Sequence, residues 1–375
     1  MNPEASVSVR LNPFKKPSGP LPILEGASPV PWNEYGYILK ERPLFTLHPL
    51  FHAGCYYVQD SSAMYVGHVF RKCIEGMSGP LKVLDLCAAP GGKTTDLAAS
   101  LRLRYGDDFL LVSNEVMKQR ASVLYDNVVR WGDPNVVVTS ADPAAFAHLE
   151  GFFDVVVADV PCSGEGMFRK DGRAREEWSP EVVKLCASRQ KRILADMWPC
   201  LKKSGLLIYS TCTYEKEEND DNLEWAASEL GGEIIKPENV FASSGVELTA
   251  HGNLLVAGRV PGEGQWAGAM VRTSDSGTGS VRSLESVIKP FRLKEEGFDA
   301  DQCLRIDFDR TSFPCVEVDK PTALKFLHKD SLVLPDAETG YNVLMYKGIP
   351  LGFVKNIGSR CNNLLPKARR IMMNI

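Results

Sequence analysis

Two cysteines that each follow an apolar run are the residues best suited to chemistry in this chain. DVVVADV (154–160) leads into a turn that contains Cys162, and GLLIYST (205–211) is followed directly by Cys212. Runs of this composition are typical of strands buried on both faces of a sheet. If they form neighbouring parallel strands, the two cysteines lie close together at one sheet edge. A lone cysteine is usually a small core residue, but this pairing favours a site.

Such a pair, together with an acid, suits covalent catalysis on a cytosine ring. A thiolate that adds to carbon 6 pushes electron density onto carbon 5, which can then attack the methyl group of a sulfonium cofactor. The reaction needs a deprotonated cysteine and an acid that holds the N3–N4 edge of the ring. Asp159, at the end of the first run, is well placed for that. The base must also leave its stack, at a cost of roughly a few kcal/mol. The residues alone leave open which thiol attacks.

A loop of small residues predicts the cofactor site. It follows the apolar run LKVLDL (81–86), occupies positions 87–92, and ends where Lys93 opens a helical pattern. The N-terminus of a helix offers free amides to a carboxylate or phosphate. The letters GGKTT suggest a P-loop, but Cys87 stands where a P-loop requires glycine, and there is no GxGxxG motif. Nucleotide hydrolysis is therefore disfavoured.

Three acids follow successive predicted strands. Glu115 is placed to bond the ribose hydroxyls of an adenosine ligand, Asp142 to meet its adenine edge, and Asp159 ends the fourth strand. Each acid alone is more often a helix cap or a surface residue. Three of them beside a glycine loop favour binding of an adenosine-type cofactor.

Alternating strands and helices must position these residues. The predicted strands span residues 81–86, 109–114, 135–140, 154–160 and 205–211. The predicted helices lie near residues 93–104, 117–131, 180–202 and 216–230. Ser179, Pro180 and Glu181 form a good helix start, with a cap, an early proline and an early acid. Repeated strand–helix units predict an α/β fold with a Rossmann-like, doubly wound, mostly parallel sheet.

The flanking segments have a different composition. Residues 1–50 are rich in proline and predict either an extended lead-in or part of a small N-terminal domain. TSDSGTGS (273–280) is a plausible linker. Short β-like runs in the following ninety or so residues predict a small α+β or β-barrel domain. We therefore expect an N-terminal segment over 1–50, a catalytic domain over 51–275 and a third unit over 285–375.

Composition sets limits on partners and location. The 375 residues carry a net charge of −4 and are 44% apolar. No apolar run approaches the roughly 20 residues of a membrane span, and the first residues lack a signal-peptide core. None of the ten cysteines has zinc-ligand spacing, so we expect no metal and a reducing cytoplasm. The acidic balance argues mildly against nucleic acid, yet basic residues cluster at 169–175 and 355–370.

The sequence resembles the RNA cytosine-C5 methyltransferases of the Nol1/Nop2/Sun family. Four segments carry the match: CAAPGGKTT, NEVMKQRASVLYDNVVRWG, DVPCSGEGMFRKD and YSTCTYEKEEN. YYVQDSSAM (56–64) is similar to the family's lead-in to the catalytic domain, and the resemblance covers about residues 50–275. One departure is Val160, where alanine is usual.

The resemblance implies S-adenosylmethionine as the cofactor and assigns roles to residues. The matching cofactor positions are Cys87, Ala88, Ala89, Pro90, Gly91, Gly92, Lys93, Glu115, Asp142 and Asp159. Cys212 matches the nucleophile and Cys162 the second cysteine, which helps to release the product; Asp159 and Lys93 complete the implied catalytic group. The choice of Cys212 rests on the resemblance, since DNA cytosine methyltransferases use the cysteine after the fourth strand.

The C-terminal segment narrows the resemblance. PLGFVKNIGSRCNNLLPKARR (350–370) is similar to the tail of F-type bacterial small-subunit rRNA methyltransferases, which belongs to a PUA-like RNA-binding domain. Basic residues there suit phosphate contacts, which position RNA without reading its sequence. SVRLNPFKK (8–16) resembles a segment that usually follows a helical region, so we expect a shorter N-terminal part than in that group.

The expected function is methylation of carbon 5 of a cytosine in 16S rRNA, as naked RNA or within the small ribosomal subunit, by a monomer with no membrane contact. The catalytic motifs fit the same chemistry on tRNA equally well. A non-catalytic RNA-binding assembly factor is disfavoured because both cysteines and Asp159 are present. A small-molecule methyltransferase would explain the cofactor loop but not the paired cysteines or the basic tail.

Overall fold

The computed structural model of the chain describes residues 6–169, 172–275, 283–292 and 297–373. Its strands are β1 (Ser8–Leu11), β2 (Ser28–Val30), β3 (Asn33–Ile38), β4 (Tyr56–Val58), β5 (Leu81–Asp85), β6 (Phe109–Asn114), β7 (Val136–Thr139), β8 (Phe153–Asp159), β9 (Leu201–Thr211), β10 (Gly232–Ile234), β11 (Val246–Leu248), β12 (Gly252–Leu255), β13 (Gln265–Arg272), β14 (Cys315–Glu317), β15 (Gly340–Tyr346), β16 (Ile349–Asn356) and β17 (Cys361–Asn363). Its α-helices are α1 (Pro49–His52), α2 (Tyr65–Cys73), α3 (Gly92–Tyr105), α4 (Lys118–Trp131), α5 (Gly172–Glu177), α6 (Pro180–Met197), α7 (Asp220–Leu230), α8 (Leu284–Val287) and α9 (Lys320–His328).

A nine-stranded mixed sheet forms the middle of the molecule. Its parallel part has the order β7-β6-β5-β8-β9, and β13 continues it in the antiparallel sense beside β9. The predicted doubly wound α/β fold is therefore confirmed, but the sheet as a whole is mixed rather than mostly parallel, because four of its strand pairings are parallel and four are antiparallel. The chain moves outward from β5 in one direction and from β8 in the other. In such sheets the crevice between these two strands, at their carboxyl ends, is the usual place for a ligand.

Helices cover both faces of this sheet because its central strands are apolar on both sides. In β8, Val155 and Val157 belong to the core on the α2–α3 face, whereas Val156 and Ala158 belong to the core on the α6–α7 face. This alternation is the two-residue period of a strand. Among the described residues, no helix is both long enough and apolar enough to cross a membrane.

Helix α6 shows how local sequence sets the strand ends. The Ser179 hydroxyl accepts a hydrogen bond from the Val182 amide at 3.3 Å, which is the predicted cap. The helix ends at Met197, earlier than the predicted residue 202, because Pro199 has no amide to continue it. A 3-10 turn follows, and β9 begins at Leu201. The predicted strand was therefore four residues too short at its start.

A small antiparallel sheet of order β2-β3-β1-β4 occupies the segment predicted as a lead-in or partial domain. Buried Arg10 of β1 docks this sheet on the start of α3. Its guanidinium donates to the Thr95 hydroxyl at 2.6 Å and to the Gly92 carbonyl at 3.2 Å, and lies 4.6 Å from the centre of the Trp131 ring. The sheet therefore helps to fix the helix that begins at the predicted cofactor loop.

The C-terminal unit is a mixed sheet, β14-β15-β16-β17, covered by α9. The predicted β-like runs there correspond to β15 and β16. The N-terminal sheet and this unit share one apolar core, in which Val9 and Tyr56 belong to the same cluster as Phe326 and Leu351. Of the predicted linker, residues 276–280 lie outside the described part of the chain.

Replacement of Arg10 by methionine should destabilise the protein. The change removes a buried cation and leaves the Thr95 hydroxyl, the Gln59 side chain and buried Asp96 without one of their partners. Loss of one member of a buried charged network costs on the order of 3 kcal/mol. Thermal or urea unfolding measures the loss. Arg42→Met, at an exposed arginine near the same sheet, is the control and should stay close to the wild-type stability.

Candidate active site

Parallel pairing of β8 and β9 brings the two cysteines together. Asp159 pairs with Ser210 in the register of these strands, so the chain leaves both strands at the same edge. The Cys162 and Cys212 sulfur atoms lie 3.1 Å apart, and the Cys212 amide donates to the Cys162 sulfur at 3.3 Å. Both residues are half-buried. The close approach expected from the strand pattern is present.

The surroundings of the pair make the two thiols unequal. The hydrogen bond with the Cys162 thiol is the largest influence on the pKa of Cys212 and lowers it. Burial and Asp159 raise this pKa, Lys93 lowers it, and the net direction is down. The same hydrogen bond, together with burial, raises the pKa of Cys162. The arrangement therefore favours a thiolate on Cys212 and a thiol on Cys162.

A lysine–aspartate ion pair lies beside the sulfur atoms. Lys93 Nζ, at the start of α3, is 2.8 Å from Asp159 Oδ2. Burial is the largest single influence and would lower the pKa of Lys93, but the charge and hydrogen bond of Asp159, together with Cys212 and Asp85, raise that pKa overall. The second carboxylate oxygen of Asp159 accepts from the Ser210 hydroxyl at 2.7 Å and from the Gln265 amide at 3.3 Å. These donors fix the orientation of the carboxylate.

Gln265 is a site residue that no sequence motif indicated. It belongs to β13, lies more than a hundred positions from Asp159 in the chain, and is bound to both Asp159 and the Thr211 carbonyl, the latter at 2.8 Å. Ser210 was likewise passed over, although its position before Thr211 at the end of β9 could have marked it.

The turn after Cys162 packs tightly against Cys212. The Gly166 amide donates to the Cys212 carbonyl at 2.8 Å. A Cβ atom on Gly166 would lie 2.7 Å from that oxygen and 2.7 Å from the Gly264 Cα atom. Only glycine fits there without moving the Cys212 backbone.

The predicted cofactor loop joins β5 to α3. Its residues are Cys87, Ala88, Ala89, Pro90, Gly91 and Gly92, with Lys93 in the first turn of the helix. Gly91 has a φ of 109°, a conformation that favours glycine. The Ala88 amide donates to the Asn114 carbonyl at 2.8 Å, and the Tyr57 hydroxyl from the N-terminal sheet donates to the Pro90 carbonyl at 3.2 Å. The loop is therefore held from two sides, with the free amides of a helix start beside it.

The remaining acids also have local partners. Glu115, after β6, is buried, accepts from the Met117 amide at 2.9 Å and pairs with Arg120 at 3.2 Å. Asp142, after β7, accepts from the Ala144 amide at 3.0 Å and so caps a 3-10 helix. Glu115 and Asp142 follow the neighbouring strands β6 and β7, and Asp159 ends β8 on the other side of β5, so all three lie toward the carboxyl ends of the parallel strands. Asp142 therefore acts as a helix cap, which is the common alternative to ligand binding for an acid in this position.

Asp85, the last residue of β5, is a further buried acid that the motif analysis did not single out. One carboxylate oxygen accepts from the Thr94 hydroxyl at 2.6 Å, and among the described residues the other has no hydrogen-bond partner. Burial raises the pKa of this carboxyl to about 7. An unpaired acid oxygen beside a helix start suits a ligand that carries both an amino and a carboxylate group, as S-adenosylmethionine does.

The predicted basic cluster near residue 170 is only partly available to a ligand. Arg169 pairs with buried Glu263 at 3.0 Å and donates to the Gly262 carbonyl at 2.7 Å. Lys170 lies outside the described residues. In the C-terminal cluster, Arg369 pairs with Asp301. Within the described part of the chain, no group of three potential metal ligands is found.

Three family models match the chain in order. The N-terminal domain of 16S rRNA methyltransferase RsmF matches residues 1–61, 16S rRNA methyltransferase RsmB/F matches residues 79–250, and the methyltransferase RsmF PUA domain matches residues 313–371. The last match confirms the expected PUA-like character of the C-terminal unit.

Curated relatives carry the name ribosomal RNA small subunit methyltransferase F. The protein of Klebsiella pneumoniae (strain 342) is 37% identical over 239 residues, which cover 61% of this chain and 48% of the relative. That of Vibrio cholerae serotype O1 (strain M66-2) is 36% identical over 237 residues, which cover 60% of this chain and 48% of the relative. The chain thus spans about half the length of the curated relatives it matches.

Solved structures share the fold. A methyltransferase homologue from Pyrococcus horikoshii has a TM-score of 0.57 and 24% identity, over 72% of this chain and 87% of that one. NSun6 from Pyrococcus horikoshii with SFG has a TM-score of 0.59 and 16% identity, over 73% of this chain and 92% of that one. These similarities confirm the Rossmann-like fold.

Asp85 should make stability depend on pH. Because its pKa is raised from 3.8 to about 7, the folded state holds a proton that the unfolded state has lost between these values. Stability therefore falls as pH rises through this window, by at most about 4 kcal/mol. Asp85→Asn should remove that loss, so its thermal midpoint should gain on wild type between pH 5 and pH 8. Exposed Asp108→Asn is the control; equal pH profiles for wild type and Asp85→Asn would contradict the assignment.

Proposed function

We propose that this chain, which belongs to the 16S rRNA methyltransferase RsmB/F family, methylates carbon 5 of a cytosine in RNA, acting as a monomer in the cytoplasm. The observation that carries the proposal is the cysteine pair, with sulfur atoms 3.1 Å apart, beside the Lys93–Asp159 ion pair. Each element of that arrangement has a task in cytosine-C5 chemistry. Non-catalytic RNA binding would need none of them.

S-adenosylmethionine would supply the methyl group on a sulfonium centre. Residues 87–93 would hold its amino-acid part, with the amides at the start of α3 facing the carboxylate and the unpaired oxygen of Asp85 facing the amino group. Glu115 would bind the ribose hydroxyls, and Asp142 would lie toward the adenine edge. Val116 and Met117, which are exposed next to Glu115, offer apolar surface for the adenine of the cofactor.

Cys212 would act as the nucleophile. Its thiolate adds to carbon 6 of the flipped cytosine, and the electron pair of the 5,6 double bond becomes available at carbon 5, which takes the methyl group. Asp159 faces the N3–N4 edge of the ring and accepts a hydrogen bond from the N4 amino group, and the Lys93 ammonium beside it stabilises the negative charge that develops on the ring during the addition. The oriented carboxylate is ready before the base arrives, so little reorganisation is needed.

Cys162 would assist the release of the product. After methyl transfer, the carbon 5 proton is lost to water, and the carbon–sulfur bond to Cys212 breaks with its electron pair on sulfur. The Cys162 thiol, 3.1 Å from that sulfur, donates a hydrogen bond to the departing thiolate and lowers the barrier to its departure. The cysteine pair then returns to its starting protonation.

We infer that the substrate is ribosomal RNA of the small subunit, because the curated relatives carry that name and the C-terminal unit matches an RsmF PUA domain. In this scheme residues 51–275 form the catalytic domain and residues 285–375 the RNA-binding unit. Methylation of tRNA remains an alternative, since the site would treat any flipped cytosine alike. Bisulfite sequencing of total RNA from cells with and without the protein distinguishes the two, and unchanged patterns in both RNAs would contradict the proposal.

Cys212→Ala should abolish methylation and leave cofactor binding within about twofold of wild type. The side chain is needed for addition to carbon 6, whereas the cofactor loop belongs to a different strand end. Tritium transfer to RNA and calorimetric titration with S-adenosylmethionine measure the two properties. Full methylation by this variant would rule out the covalent mechanism.

Cys162→Ala should accumulate a covalent protein–RNA adduct. Without the thiol, Cys212 still adds to the base but loses the hydrogen bond that stabilises it on departure. The adduct is detected as a slow-migrating band on a denaturing gel in the presence of cofactor. A band with Cys212→Ala and none with Cys162→Ala would show that the two roles are reversed. Cys315→Ala, at an exposed cysteine of the C-terminal unit, serves as the control.

A further inference from the structure

We infer that Glu218 is a positioning residue that fixes the Cys162 turn against the Cys212 loop and keeps the shared proton of the cysteine pair on Cys162. The inference deepens the proposed function, on which its catalytic meaning rests. Glu218 lies in a 3-10 turn six residues after Cys212, and its side chain is fully buried. It is not needed for the mechanism derived above.

The carboxylate of Glu218 connects three parts of the site. It accepts from the Ser163 amide at 3.1 and 3.3 Å, next to Cys162, and from the Gln190 side chain of α6 at 2.6 Å. The same Gln190 amide donates to the Pro161 carbonyl at 2.9 Å. All of these partners donate to Glu218, so the geometry fits an ionised carboxylate, which only accepts.

A second set of hydrogen bonds joins the two cysteine segments directly. The Ser163 and Thr213 hydroxyls lie 2.9 Å apart, and Glu165 accepts from the Thr213 hydroxyl at 3.1 Å and from the Tyr214 amide at 3.0 Å. The residues that flank each cysteine are thus bonded to one another. The short distance between the sulfur atoms is imposed by this buried network.

The charges around the pair are distributed unevenly. The ionisable groups that interact with one or both sulfurs are Lys93 from α3, Asp159 from β8, Cys186 from α6, Tyr209 from β9 and Glu218. Glu165, from the Cys162 turn, acts on Glu218. Lys93 lowers the pKa of Cys212, whereas Glu218 raises the pKa of Cys162. The hydrogen bond between the thiols is the largest influence on both pKa values, and Asp159 raises the pKa of Cys212 more than Lys93 lowers it. Glu218 is therefore the charged group whose effect favours a proton on Cys162.

A merely structural glutamate would affect stability without changing the order in which the thiols ionise. The test is therefore alkylation by iodoacetamide from pH 6 to pH 10, without RNA or cofactor, with each cysteine followed by peptide mass spectrometry. In wild type, Cys212 should react at a lower pH than Cys162. In Glu218→Gln, the pH at half-maximal rate for Cys162 should fall by about one unit, a tenfold change in its thiolate equilibrium, and the gap between the thiols should narrow.

Glu217→Gln is the matched control, because it makes the same chemical change one residue away on the exposed side of the turn. It should give the wild-type profile. Glu218→Asp keeps the charge and should keep the order of the thiols, even if the protein loses stability. A folded Glu218→Gln with an unchanged gap would overturn the inference. If Glu218→Gln does not fold, a wild-type or Glu218→Asp protein in which Cys162 ionises at or below the pH of Cys212 would overturn it.

The experiment separates this inference from the proposed function. Alkylation needs neither substrate nor methyl transfer, so the order of the thiols can be measured even if no RNA is methylated. Loss of methylation in wild type would contradict the function and leave the inference standing. A reversed order of alkylation in a protein that methylates RNA would contradict the inference and leave the methylation activity standing.

Discussion

The register between β8 and β9 is the constraint on which the site depends. Two parallel neighbours must end at the same edge, and here both run on into cysteine-bearing segments whose sulfur atoms lie 3.1 Å apart. Two negative charges at that distance in a half-buried crevice repel strongly. One proton is therefore shared between two sulfurs, and the surrounding side chains decide where it stays. The charges of Lys93, Asp159 and Glu218 all affect which sulfur holds the proton.

The two smaller units are connected to the site through packing. Arg10 and Tyr57 of the N-terminal sheet bind carbonyls at Gly92 and Pro90, so the cofactor loop rests on that sheet. The same sheet shares its apolar core with the C-terminal unit. A continuous path of packed residues therefore runs from the unit that we assign to RNA to the loop that we assign to the cofactor. Folding of the N-terminal segment and formation of the cofactor site are thus linked.

Much of this architecture follows from periodicity. Buried β-branched runs and capped helices were sufficient to predict the parallel sheet and the meeting of Cys162 with Cys212, because parallel strands share their ends. Gln265 could not be found in this way, because it reaches Asp159 from an antiparallel strand. Local sequence does not specify where such a strand lies in the sheet. Asp142 illustrates the opposite problem, because an acid after a strand is equally suited to capping a turn. The early end of α6 follows from Pro199, which has no amide hydrogen with which to continue the helix.

The identity of the attacking thiol is a property of charge placement, which explains why the strand pattern left it open. Both cysteines follow parallel strands, both are half-buried, and each is the other's nearest sulfur. What distinguishes them is the set of buried charges around each sulfur: Lys93 and Asp159 shift the pKa of Cys212 in opposite directions, whereas Glu218 raises the pKa of Cys162. Lys93 lies on α3 and Glu218 in the turn before α7, on opposite faces of the sheet. The same backbone could assign attack to the first cysteine if the cation and the anion exchanged sides, so related folds need conserve only the paired sulfur positions, and the choice of nucleophile can change with a few buried charges.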